Sequence, residues 1–267
     1  MYLMRITILI VGILAFILRG FDALYAYVFK KTIFTHFYLK KRKLSTAQLS
    51  ILAREVKFYQ QLSKQEKLYF EHRLFKFIER YQIIGRSDFK VSDEVKILIG
   101  SVYIMMTFGM RKYLTEVFDK VIVYPSEFTS ISHQRKHKGE FNFQYKVVVF
   151  SWEDFIKGIA IENDNLHLGV HEFTHALSFH GKKSKDYSAS VFYKMHQEIL
   201  QEIQRPKKRV AIQNAAYFRS YAFTNNLEFM AVVMEYFFES PIEFKNRFPE
   251  LYAKIVKMLN YKDFSSS

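Results

Sequence analysis

The spacing of apolar and polar positions divides this 267-residue chain into an N-terminal hydrophobic run and a long amphipathic remainder. Beyond residue 45, apolar side chains return every three or four positions, the repeat that keeps one stripe of a helix facing a core. That spacing predicts helices near residues 46–60, 64–82, 93–107, 165–180, 187–203, 226–239 and 250–260. Three starts carry capping boxes: Ser45-Thr46-Ala47-Gln48, Ser63-Lys64-Gln65-Glu66 and Ser240-Pro241-Ile242-Glu243. In each, a serine hydroxyl and a longer polar side chain three residues on satisfy each other's free backbone N–H groups. Proline at the first helical position favours the third start further.

Strands are fewer. Residues 121–124 and 145–151 qualify, the second holding Val147-Val148-Val149-Phe150 between charged flanks. Residues 134–142 read as a hairpin loop. The expected fold class is mainly α with a small β-sheet (α+β), one domain over residues 46–262.

The N-terminus follows different rules. Residues 6–18 are apolar apart from Thr7 and Gly12, with Arg5 and Arg19 at the ends, and residues 20–29 continue apolar and aromatic with only Asp22 charged. About 20 mainly apolar residues span a bilayer, so residues 1–30 are expected to form a transmembrane anchor and residues 31–45 a basic linker. A signal peptide is the rival reading. Bulky Phe21, Leu24, Tyr25 and Tyr27 crowd the place where its cleavage site would lie.

Charge sets the orientation. The formal net charge is +14, and residues 1–45 hold half of it, eight basic residues against Asp22 alone. Most of those lie after the hydrophobic run, at Lys30, Lys31 and Lys40-Lys41-Arg42-Lys43. The positive-inside rule therefore expects an inner-membrane, single-pass protein whose domain faces the cytoplasm, with membrane lipid contacted through residues 1–45. A cytoplasmic protein is the alternative. The absence of cysteine excludes a disulfide framework. Basic runs at residues 135–138, 182–183 and 205–209 read as solvated loops, since no nucleic-acid recognition pattern accompanies them.

Chemistry concentrates in His171-Glu172-Phe173-Thr174-His175. On a helix, residues i and i+4 share a face, so two imidazoles can reach one metal ion while Glu172 faces the water bound to it. Hydrolytic zinc usually takes three protein ligands, and the best third donor is Glu228, which opens the apolar helix Phe229-Met230-Ala231-Val232-Val233 behind a cap at Thr224 or Asn225. Seen alone, the string could arise by chance, and Glu228 could be a surface carboxylate favoured by the helix dipole. Glu235 lies two turns further along the same face and reads as a supporting carboxylate. His180, close to the helix end, reads as an ordinary histidine.

Taken together these segments resemble the zinc metallopeptidase family of Mlc titration factor A. The likeness rests on HEFTH at residues 171–175, Tyr221-Ala222, Thr224, Glu228-Phe229, Ala231, Glu235-Tyr236-Phe237-Phe238, Pro241 and Phe248-Pro249, and covers about residues 50–260. The resemblance implies a zincin-like fold, one Zn²⁺ held by His171, His175 and Glu228, Glu172 as general base, and Tyr221 as the phenol that steadies the oxyanion. It implies a peptide or protein substrate held as an extended strand alongside residues 145–151, and it offers the alternative of a protein that sequesters a transcriptional repressor. Ser178 and Asn226 depart from the family's usual Asp and Pro at those positions.

Overall fold

A computed structural model describes residues 2–29, 32–130, 135–182, 184 and 186–262. The N-terminal run forms α1 (Tyr2–Phe29), followed by α2 (Thr46–Glu55), α3 (Lys57–Gln61) and α4 (Lys64–Arg80). The single helix expected at 46–60 is broken because Val56 adopts an extended conformation between α2 and α3. Two of the three expected serine boxes form: Ser45 with Gln48 caps α2, and Ser63 with Glu66 caps α4.

Next come β1 (Gln82–Gly85), α5 (Asp93–Thr107), β2 (Lys120–Tyr124), β3 (Phe128–Thr129), β4 (Lys136–His137), β5 (Gly139–Asn142) and β6 (Val147–Ser151). One sheet runs in the order β1-β2-β6-β5. Its first three strands are parallel, and β5 lies antiparallel to β6. In β2 and β6, Val121, Val123, Val148 and Phe150 are buried, as strands covered by helices require. Two expectations are corrected here. Residues 136–142 supply β4 and the edge strand β5 instead of a loop, and β6 is paired on both sides and so cannot receive a peptide. Charge and glycine in Lys136–Asn142 hid the strands, because one face of an edge strand can stay wet. Gln134 of the expected loop lies outside the described residues.

The helical half consists of α6 (Trp152–Ala160), α7 (Leu168–Ser178), α8 (Tyr187–Ile203), α9 (Pro206–Asn214), α10 (Asn226–Glu239), α11 (Pro241–Arg247) and α12 (Pro249–Leu259). The basic run at 205–209 is the start of α9 and not a loop, with Pro206 in its first turn. At α11, proline starts the helix without a cap from the Ser240 side chain. The architecture is thus mainly α with a small mixed sheet.

The core explains the roll of α7. Phe173 lies two residues, or about 200°, round the helix from His171. It is fully buried, with ring centroids of Tyr103 and Phe150 at 5.1 and 5.4 Å. Burying Phe173 against the sheet turns His171 and His175 toward α10.

Candidate metal centre

Helices α7 and α10 pack side by side, and their facing residues build the site. Asn225 caps α10 by accepting the N–H groups of Leu227 and Glu228, at 2.9 and 3.0 Å. That cap fixes the first turn and points Glu228 across to α7. His171, His175 and Glu228 each offer one ligand atom, and these atoms lie within 4.8 Å of one another. His171 Nε2 is 3.1 Å from His175 Nε2 and 3.0 Å from Glu228 Oε2, which in turn is 3.5 Å from His175 Nε2. Tetrahedral donors about 2.05 Å from a zinc ion stand about 3.3 Å apart, so the three spacings fit that ion.

Glu235 decides how His171 presents itself. It lies seven residues beyond Glu228 on the same face of α10, is 1% exposed, and its Oε1 is 2.7 Å from His171 Nδ1. Its other partners are the His167 N–H, donating at 2.9 Å, and Arg219, whose two terminal nitrogens donate at 2.6 and 3.1 Å. A carboxylate accepting the Nδ1 proton leaves Nε2 with its lone pair toward Glu228. Glu228 Oε2 is buried and makes no hydrogen bond of acceptable geometry. Two imidazole nitrogens and a carboxylate oxygen that meet in this way form a donor set that could hold a metal ion.

The titration of the site expresses the same convergence. Burial pulls the His171 pKa down, but contacts with Glu228 and Glu235 and the charge of Glu172 push it to about 10. Burial alone would raise Glu228; its contacts with the two histidines overcome this and hold it well below the usual carboxylate range.

Glu172 is buried on the next position of α7, and desolvation raises its pKa against the opposing pull of His171 and His175. Strand β5 passes so close that a Cβ on Gly139 would fall 2.5 Å from Glu172 Oε1. Tyr221 sits on a 3₁₀ turn at Ser220–Phe223, about half exposed, its ring centroid 6.1 Å from that of His171. Burial, followed by the charge of Glu228 and a hydrogen bond to it, pushes its pKa up to about 12.

The five residues singled out in the sequence therefore lie in one place. Arg219 and Gly139 escaped sequence reasoning: nothing but the need to balance a buried Glu235 pointed to the arginine, and the glycine depended on an unrecognised strand. Ser178 directs its hydrogen bonds away from the metal-ligand candidates. Its hydroxyl donates to the Thr174 carbonyl and lies 3.1 Å from His196 Nε2. His180 is a packed core residue, its ring nitrogens 2.9 Å from the Lys112 carbonyl and 3.2 Å from the Thr115 hydroxyl.

Comparison with known proteins places this site in context. The model of a family described as glucose-regulated metallo-peptidase M90 matches residues 30–260. An uncharacterized protein of Synechocystis is 27% identical over 244 residues, 82% of this chain and 85% of that protein. Mlc titration factor A of Escherichia coli and of Shigella flexneri is 22% identical over 199 residues, 67% of this chain and 73% of theirs.

Proposed function

The chain belongs to the glucose-regulated metallo-peptidase M90 family, and from that premise we propose that it is a membrane-anchored, zinc-dependent peptidase acting on peptide or protein substrates. The observation that carries this reading is the convergence of His171, His175 and Glu228 donor atoms within 4.8 Å, with buried Glu172 beside them.

These three residues would hold one Zn²⁺ and leave a coordination position for water. When bound, the ion supplies Lewis acidity, lowering the pKa of a water to about 7 and polarising the scissile carbonyl. Glu172 takes the proton of the attacking water and delivers it to the leaving amine; its desolvated carboxyl, shifted upward, suits a group that holds a proton between two steps. Tyr221 stays protonated at neutral pH and donates to the oxygen on which negative charge develops. Strand β5, at one end of the sheet order, runs beside Glu172, and an extended substrate would lie along this side of the site.

Helix α1 is long and apolar enough to cross a membrane. The basic residues that follow it favour a cytoplasmic domain.

Metal analysis of the full-length protein should find about one zinc, lost from His171→Ala, His175→Ala or Glu228→Ala. Glu172→Gln should keep zinc and lose nearly all hydrolysis, and Tyr221→Phe should lower turnover about 10²-fold with less change in substrate affinity. Hydrolysis unchanged in Glu172→Gln sinks this mechanism. A second reading, capture of a regulatory protein, is supported by the name of the Mlc titration factor A relatives. It predicts that Glu172→Gln retains the regulatory effect in full.

A further inference from the structure

Residues 32–45, ahead of α2, are built into the domain. On α1, Asp22, Ala23, Tyr25 and Ala26 form the sheltered face, and Ala26 is buried. Asp22 Oδ2 accepts from Arg111 at 2.6 Å, Asp22 Oδ1 accepts the Ile33 N–H at 3.2 Å, and Arg111 Nε donates to Asp186 at 3.0 Å. Hydrocarbon must therefore end before Asp22. Residues 4–21 cover about 27 Å of helix, close to a hydrocarbon thickness of about 30 Å.

Beyond the helix, fully buried Arg73 ties the chain down. It donates to the Thr35 carbonyl at 3.0 Å and the Tyr38 hydroxyl at 2.5 Å, and to the carbonyls of Thr107 and Phe108 at 3.0 and 2.9 Å. His36 stacks on Tyr69, and the Arg42 N–H donates to His72 Nδ1 at 2.9 Å. With Thr35, His36 and Tyr38 held inward, the side chains left outside are Ile33, Phe34, Phe37 and Leu39, the last two 74% and 95% exposed. Lys40, Lys41, Arg42 and Lys43 follow at once.

Single exposed apolar residues are ordinary on protein surfaces; four within seven positions, next to an apolar helix and a cationic run, are not. We propose that this face rests on an anionic bilayer surface, with Phe34, Phe37 and Leu39 entering the boundary between headgroups and acyl chains and the basic run meeting anionic headgroups. The inference rests on the reading of α1 as an anchor. It adds that the domain lies on the membrane in one orientation instead of hanging from a flexible leash. A surface-lying apolar group flanked by cations is the combination that binds interfaces.

Because the chain has no cysteine, single spin labels report unambiguously. Labels would be placed at Leu14, Phe37, Leu39 and Ile242 of the full-length protein, in vesicles of phosphatidylcholine with phosphatidylglycerol, and their accessibility to oxygen and to a water-soluble nickel chelate measured. The Leu14 label should be protected from nickel, those at Phe37 and Leu39 several-fold less accessible to nickel than the label at Ile242. Since Leu39 is almost wholly exposed, its replacement leaves packing intact. Labels at Phe37 and Leu39 as open to nickel as that at Ile242, with Leu14 protected, overturn the docked face and leave the anchor standing. Nickel access at Leu14 overturns both.

Discussion

Gly139→Ala should disable hydrolysis while leaving the fold and the metal in place. A Cβ on residue 139 would lie 2.5 Å from Glu172 Oε1, 2.7 Å from Glu172 Cγ and 2.7 Å from Leu168 Cδ1. Ordinary van der Waals contact begins at 3.4 Å, so Oε1 must retreat by 3.4 − 2.5 = 0.9 Å. Two of the three atoms are at the ends of flexible side chains, and residue 139 does not have a positive φ. Folding therefore loses little beyond the shift that Glu172 Cγ must also make, because the added methyl displaces side chains and leaves the strand where it is. Catalysis is less forgiving: displacement of about 1 Å from the productive geometry costs roughly 10²-fold in rate. We expect kcat to fall by about that factor on a reporter peptide cleaved by the unaltered protein. Zinc content should stay near one per chain, and the thermal unfolding midpoint should move little. Wild-type turnover in Gly139→Ala would refute the placement of Glu172 as the base under β5. Loss of zinc would show that the methyl disturbs α7 itself.

Two further perturbations test the surroundings. Glu235→Gln should weaken zinc binding about 10–100-fold, because the amide no longer draws the His171 Nδ1 proton with a full charge and leaves Arg219 unpaired; Arg219→Ala should act in the same direction, and competition with a zinc chelator measures both. Acid should destabilise the protein through His196, whose pKa burial lowers from 6.5 to about 4. Here the unfolded chain binds the proton more readily, so the stability present above pH 6.5 is lost as pH falls toward 4. From this histidine alone the loss is about 3 kcal/mol. Urea unfolding midpoints of His196→Gln should fall less steeply than those of the unaltered protein between these pH values, and parallel curves would exclude the assignment.

Local sequence determined those features that depend on neighbours along the chain. The helical extents from 93 to 107, 187 to 203 and 226 to 239 follow from apolar spacing, and Ser45 and Ser63 cap α2 and α4 through partners only three residues away. His171 and His175 share a face for the same reason, and Glu235 follows Glu228 by two turns. Tertiary structure decided which partners those faces meet. Val56 breaks a helix that periodicity alone would continue. The polar segment Gly139–Asn142 became the edge strand over Glu172 only because β6 was there to pair with it. Arg219 joined the site because a buried carboxylate across the fold required its charge. Residues 32–43 look like a linker in sequence, since their apolar and basic side chains carry no period. They are fixed instead by long-range hydrogen bonds to Arg73 and His72, contacts separated by 30 to 38 residues that no local pattern could announce.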